Sequence, residues 1–123
     1  IVEQEIDALI SVFYANRLSY SVWNTIPGIY IKAELEKNGV SEQQLSDLWA
    51  IMDPDRFKPL VPKDRILLFS AMHDQYVAKD DADRLWEAWD RPTRHLYPCG
   101  HAGLALYKKR ICKDTLAFLE DKL

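Results

Sequence analysis

Two side chains of complementary acid–base character stand 27 residues apart, Asp74 in Met72-His73-Asp74-Gln75-Tyr76-Val77 and His101 in Cys99-Gly100-His101-Ala102-Gly103. An imidazole with an ordinary pKa of about 6.5 can take a proton from a hydroxyl and return it to a leaving group, provided the ring is in the right tautomer. A carboxylate on the other ring nitrogen fixes that tautomer, so an aspartate beside a histidine is the minimum apparatus for general base catalysis. Each residue alone has a plainer explanation: aspartate is a common turn former, and a histidine between glycines can be an exposed turn residue. Neighbours compete for the same roles. His73 adjoins Asp74 and could meet its carboxylate or cap a helix. Cys99 lies two residues before His101, which raises a cysteine–histidine nucleophile pair, although side chains so placed at a strand end usually point apart. His95, alternating with Leu96, reads as a structural residue.

The elements that must position this pair can be read from residue 65 onward. Ile66 to Phe69 is continuously apolar rather than alternating, which predicts a strand covered on both faces, as in a parallel sheet. A covering helix is expected next, capped by Asp80 or Asp81, with Ala82, Leu85, Trp86 and Trp89 as its buried stripe and Asp90-Arg91-Pro92 as its end. Thr93 to Pro98 reads as a second strand, and Leu104, Tyr107, Ile111, Phe118 and Leu119 give a final helix over 104–123. This is a βαβα unit of class α/β over residues 65–123, with two parallel strands and a right-handed crossover. In open parallel sheets ligands bind beyond the carboxyl ends of the strands, and Asp74 and His101 both follow such ends. Gly100 and Gly103 are expected to let the backbone bend tightly around the histidine.

These segments resemble the carboxyl-terminal part of the α/β-hydrolase family. Its members carry a strand ending in a small-residue-x-x-Asp-x-x-Val-Pro turn, then a helix, a strand and a Gly-His that opens the last helix. Ser70-Ala71-Met72-His73-Asp74-Gln75-Tyr76-Val77-Ala78 fits with Ala78 in place of the proline, and Gly100-His101-Ala102-Gly103 fits closely. The resemblance covers about residues 60 to 123. It implies that Asp74 is similar to the triad acid and His101 to the triad base, in a partial α/β-hydrolase fold acting on small ester or acyl substrates. It calls for no cofactor and no metal. The chain departs from the family in one respect: none of its six serines lies in Gly-x-Ser-x-Gly, and its four glycines are too dispersed to form a nucleophile elbow or an oxyanion hole. A chain that begins at an internal isoleucine and lacks the nucleophile is expected to be the carboxyl-terminal portion of a longer hydrolase.

Residues 1–64 read as a helical segment, a lid or an outer layer. Val2, Ile6, Leu9, Ile10 and Phe13 recur at helical spacing and predict a first helix over residues 1–18. Ile29 to Lys37 predicts a short helix stopped by Asn38-Gly39, and Ser41 with Gln44 forms a capping box for a helix bearing Leu45, Leu48, Trp49 and Met52 on one face, ended by Asp53-Pro54. Leu18 to Tyr30, which includes Trp23, is rich in aromatic and small residues without clear period and could line a pocket or belong to the lid. Trp49, Trp86 and Trp89 are expected in the core. A two-stranded parallel sheet leaves an open edge, so a homo-oligomer or association with an amino-terminal part is expected.

Sixteen Lys and Arg against nineteen Asp and Glu, a net charge of −3 without a basic stripe, argue against nucleic acid as a partner, and Lys108-Lys109-Arg110 reads as a solvated patch. The longest apolar run, Leu48 to Met52, has five residues, far short of a membrane span. Two cysteines without zinc or framework spacing suggest a reducing, cytoplasmic setting. Two function classes remain: the acid–base portion of a serine hydrolase acting on esters, thioesters or amides, and a non-catalytic interaction module with an α/β-hydrolase-like surface.

Overall fold

The computed structural model describes residues 5–123. Three parallel strands form one sheet in the order β1 (Leu9–Val12), β2 (Ile66–Ala71), β3 (Thr93–Tyr97). Between β1 and β2 lie the helices α1 (Leu18–Asn24), α2 (Ile29–Lys37) and α3 (Glu42–Trp49), followed by short 3₁₀ turns; α4 (Lys79–Ala88) crosses from β2 to β3, and α5 (Lys108–Lys122) closes the chain. The class is α/β.

The central strand explains the continuous apolar run. All six residues of β2 are buried, and successive side chains serve opposite faces. Ile66 and Leu68 join Tyr14, Val61, Ala82, Leu85 and Trp89 beneath α4, while Leu67, Phe69 and Ala71 join Tyr97 and Leu104, flanked by Ile111 and Phe118 of α5. Each such side chain removed from water contributes about 1.5–3 kcal/mol, so β2 must pair on both edges and be covered on both faces. The register runs Leu9↔Ile66 to Val12↔Phe69 on one side and Leu67↔Thr93 to Ala71↔Tyr97 on the other.

The first strand corrects the helix expected over residues 1–18; Ile1 to Gln4 of that helix lie outside the described residues. The sheet therefore has three strands rather than two, and residues 1–64 are not wholly helical. Leu9-Ile10-Ser11-Val12 satisfies the helical period, but pairing a β-rich stretch along the buried β2 satisfies the backbone groups on its inner edge and partly buries Leu9 and Ile10, one against each cluster. The outer edge of β1 carries no strand among the described residues.

The helical insertion obeys local chemistry. Asn38 and Gly39 terminate α2, with Gly39 at φ 76° and the Val40 amide donating to Leu35 O at 2.9 Å. The capping box forms as expected: Gln44 N–H donates to Ser41 Oγ at 3.2 Å and Ser41 N–H to Gln44 Oε1 at 2.8 Å. The stripe expected on α3 is only partly used, for Leu45 is buried while Leu48 and Met52 are exposed. Of the tryptophans, Trp89 is in the core and Trp23, Trp49 and Trp86 are half-buried. Neither Asp80 nor Asp81 caps α4, which starts at Lys79 with Ala78 at the cap position; both aspartates occupy the first turn, where the helix dipole favours negative charge. The last helix is preceded by a 3₁₀ segment, Ala102–Tyr107, that begins just after His101. Among the described residues no helix is long and apolar enough to cross a membrane.

Candidate functional site

Three strand ends converge. Backbone pairing between β2 and β3 continues past the strands, with Met72 N–H donating to Tyr97 O at 2.8 Å and His73 N–H to Cys99 O at 3.0 Å. The two loops therefore leave the sheet side by side, and Asp74 and His101 each emerge within two residues of this last backbone contact.

Asp74 turns the first loop on its own side chain. Its Oδ1 accepts from the amides of Tyr76 at 2.8 Å and Val77 at 3.0 Å, a local turn that aspartate is suited to make. Its Oδ2 meets Nδ1 of His101 at 2.8 Å. The carboxylate is 4% exposed and the imidazole 35%, so the acid is sealed beneath the base while the ring retains access to solvent. With Asp74 ionised, Nδ1–H is the donor and Nε2 is left as an acceptor, which is the tautomer a general base requires.

His101 is reached from β3 through Cys99 and Gly100. The glycines act by close approach rather than by unusual dihedrals, since Gly39 alone among the described glycines has positive φ. A Cβ at Gly100 would stand 3.3 Å from the His73 carbonyl oxygen, and one at Gly103 would stand 2.9 Å from Cys99 Cβ. Gly100 thus lets the histidine loop approach the aspartate loop closely, and Gly103 lets the histidine loop fold back on its own Cys99.

Two aromatic rings that sequence reasoning did not place in the site approach the imidazole. Phe13, immediately after β1, has its ring centroid 5.2 Å from that of His101, and Tyr76 stacks on it at 5.0 Å with an interplanar angle of 30°. Tyr76 sits in the same loop as the acid, so its position was available from the sequence; Phe13 was hidden by the helix expected there. An open, apolar groove of about 350 Å³ adjoins the ring, bounded by Val12 and Phe13 on one side and Leu104, Ala105 and Ile111 on the other, with Lys108 at its margin.

The competing residues are placed elsewhere. His73 is exposed, and His101 is the ring that meets the Asp74 carboxylate. His95 stacks on Phe69 and lies 3.5 Å from Asp114 on the outer side of β3. Burial, and secondarily the negative charge of Asp74, push the Cys99 thiol up from its ordinary value, the opposite of what a cysteine nucleophile needs. Ser70 is buried and donates to the Tyr14 hydroxyl at 2.8 Å. Among the described residues no three His, Cys, Asp or Glu side chains gather in a way that could hold a metal ion.

The helical insertion touches the site at one backbone point: Ile26 N–H donates to Gln75 O at 3.2 Å, joining the turn before α2 to the loop between Asp74 and Tyr76.

No protein-family profile matches the chain. It is 56% identical over 115 residues to the uncharacterized protein YdjC of Bacillus subtilis (strain 168), in a match that takes in 94% of this chain and 99% of YdjC. At that identity and over that extent, this chain belongs to the same family as YdjC.

Proposed function

We propose that Asp74 and His101 are the acid and base of a serine-hydrolase triad on a partial α/β-hydrolase fold, with the nucleophile supplied from outside these 123 residues. The observation that carries this reading is the 2.8 Å contact from His101 Nδ1 to an Asp74 carboxylate whose other oxygen is fixed by two amides. In the reaction, Nε2 of His101 takes the proton of an attacking hydroxyl as its oxygen bonds to the carbonyl carbon of an ester, thioester or amide. The imidazolium so formed, steadied by Asp74, then gives that proton to the leaving group as its bond to carbon breaks.

The open edge of β1 is where a strand carrying the nucleophile would join, because Phe13 at the end of β1 already touches the base. That strand comes from an amino-terminal part of a longer parent hydrolase or from a separate polypeptide, since a second copy of these 123 residues carries no nucleophile elbow either. Residues 1–64, read as a lid or an outer layer, bring the helices α1 to α3 between β1 and β2 to this assembly. Its substrates are small ester or acyl compounds, and its free cysteines, Cys99 and Cys112, suit a reducing cytoplasm.

The missing Gly-x-Ser-x-Gly favours a second reading, a non-catalytic interaction module that keeps the hydrolase surface. Hydrolysis of p-nitrophenyl esters by the purified chain, and by the assembly recovered with it from its own cells, separates the two. The catalytic reading expects no turnover by the chain alone and fluorophosphonate-sensitive turnover by the assembly that is lost in His101→Ala. An inactive assembly leaves the module.

A further inference from the structure

Phe13 is a strained residue in an informative place. Its φ is 58°, in the left-handed region that a bulky side chain rarely enters, and such conformations persist where the surrounding structure holds them, often at functional sites. The backbone there is held from one side: Phe13 N–H donates to Phe69 O at 3.3 Å, extending the β1–β2 ladder one residue past the strand. The left-handed turn then separates two neighbours that serve opposite faces of the sheet. Tyr14 enters the cluster beneath α4, while Phe13 packs on the α5 side and lays its ring against His101.

Tyr76 approaches the same imidazole and is fixed by the acid itself. The Tyr76 amide donates to Asp74 Oδ1, and the preceding carbonyl, Gln75 O, accepts from Ile26 N–H. One carboxylate therefore acts on the base twice, directly through Oδ2 on Nδ1 and indirectly by folding the loop that brings a ring to its face. Tyr76 is 49% exposed, so burial of its own surface does not explain why it stacks there.

We infer that Phe13 and Tyr76 are positioning residues that clamp the His101 ring, so that Nδ1 stays on Asp74 and Nε2 stays available for a reacting proton. With one 2.8 Å hydrogen bond alone opposing rotation about its Cα–Cβ and Cβ–Cγ bonds, a 35% exposed imidazole on a loop can swing off its acid. A stacked ring from Tyr76 at 5.0 Å and a tilted one from Phe13 at 5.2 Å restrict that freedom, and aromatic pairs at such separations attract beyond the area they bury. The clamp rests on the reading of His101 as a base held by Asp74, and goes beyond it by assigning what keeps the ring in the productive orientation.

The test is the ¹⁵N-edited NMR spectrum of the imidazole in the full chain. Wild type is expected to give one fixed tautomer and a slowly exchanging Nδ1–H resonance. Phe13→Leu and Tyr76→Leu, which keep apolar bulk but remove the flat face, are each expected to broaden or lose that resonance and to shift the ring nitrogens towards the averaged pattern of a free imidazole. Phe13→Tyr and Tyr76→Phe restore the ring and are expected to keep the signal. Phe118→Leu, which thins the same apolar cluster from α5, is expected to leave it unchanged, separating clamping from general packing. If Phe13→Leu fails to fold, the half-exposed Tyr76 carries the test by itself. A wild-type resonance retained in both leucine variants would overturn the clamp while leaving the acid–base pair intact. A wild-type ring without a fixed tautomer, and unaltered in Asp74→Asn, would overturn the pair and the clamp together.

Discussion

Arg17 and Asp81 are joined twice: the Arg17 amide donates to Asp81 Oδ2 at 2.9 Å and its Nε to Oδ1 at 2.6 Å, with Asn16 Nδ2 adding a longer contact to Oδ1. Asp81 is buried in the first turn of α4, so this pair ties the start of the helical insertion to the helix that covers the sheet.

Removing the acid should therefore be costly. Asp81→Ala leaves a guanidinium and a backbone amide without their partner, and breaking a buried pair costs about 3–5 kcal/mol. The Arg17 side chain is 25% exposed and can recover some hydration, which places the expectation near the lower figure. Urea unfolding of the two proteins measures it, and a loss under about 1 kcal/mol, the range of exposed pairs, would show that the insertion is anchored elsewhere.

Asp53 behaves in the opposite sense. Burial pushes its carboxyl above the ordinary value, only partly offset by the hydrogen bond from Arg56, and its Oδ1 has no partner among the described residues. A folded-state pKa above the unfolded one means that the charged form burdens the folded protein. Asp53→Asn should then raise the melting temperature at neutral pH, and the gain should shrink as pH falls through the folded pKa of Asp53. Asp55 and Asp83 run the other way. Burial raises both carboxyls, but hydrogen bonds from Arg84 and Asn16 to Asp55, and from Lys79 and Arg94 to Asp83, outweigh it and leave both lowered. Their contribution is present above the unfolded value and lost as pH falls through the folded one. Melting curves of wild type and variant from neutral to acid pH check both signs.

The two thiols should react at different rates. Cys112 is exposed on α5, whereas Cys99 is half-buried with its thiol pushed up by burial and by Asp74. Ellman's reagent is expected to modify Cys112 quickly and Cys99 slowly, leaving only a slow phase in Cys112→Ala. A fast phase that instead disappears in Cys99→Ala would revive the cysteine nucleophile.

Gly28→Ala probes the turn that reaches the site. A Cβ there would stand 2.2 Å from the Val22 carbonyl oxygen, so the backbone between α1 and α2 must shift. Overpacking of this kind costs about 1–3 kcal/mol, and the Ile26–Gln75 contact should loosen with it. Thermal melting gives the cost, and amide exchange at Ile26 shows whether the contact has opened; unchanged values for both would contradict the close approach.

The candidate site was more legible than the fold around it. The run Ile66 to Phe69 announced a strand buried on both faces, and that strand with its crossover fixed where Asp74 and His101 had to emerge. Residues 9–12 were not readable in the same way, because four residues fit a helical period as well as a strand, and only the ladder along β2 decides between them. Phe13 inherited that error, and nothing in a lone phenylalanine signals a left-handed backbone. The Arg17–Asp81 anchor was hidden for a different reason: two charges 64 residues apart each look like solvated surface until the fold buries one against the other.

Whether the Asp74–His101 pair performs acid–base chemistry is tested most directly by ester hydrolysis in the assembly containing this chain, compared across wild type, Asp74→Asn and His101→Ala. The chain alone should show no turnover. The wild-type assembly should hydrolyse p-nitrophenyl acetate, and His101→Ala should reduce it to background. Asp74→Asn, which keeps the shape but no longer fixes the tautomer, should lower kcat by up to about 10⁴, the loss seen for the matching change in a serine protease. Turnover that survives His101→Ala, or an assembly with no turnover, would contradict the catalytic reading.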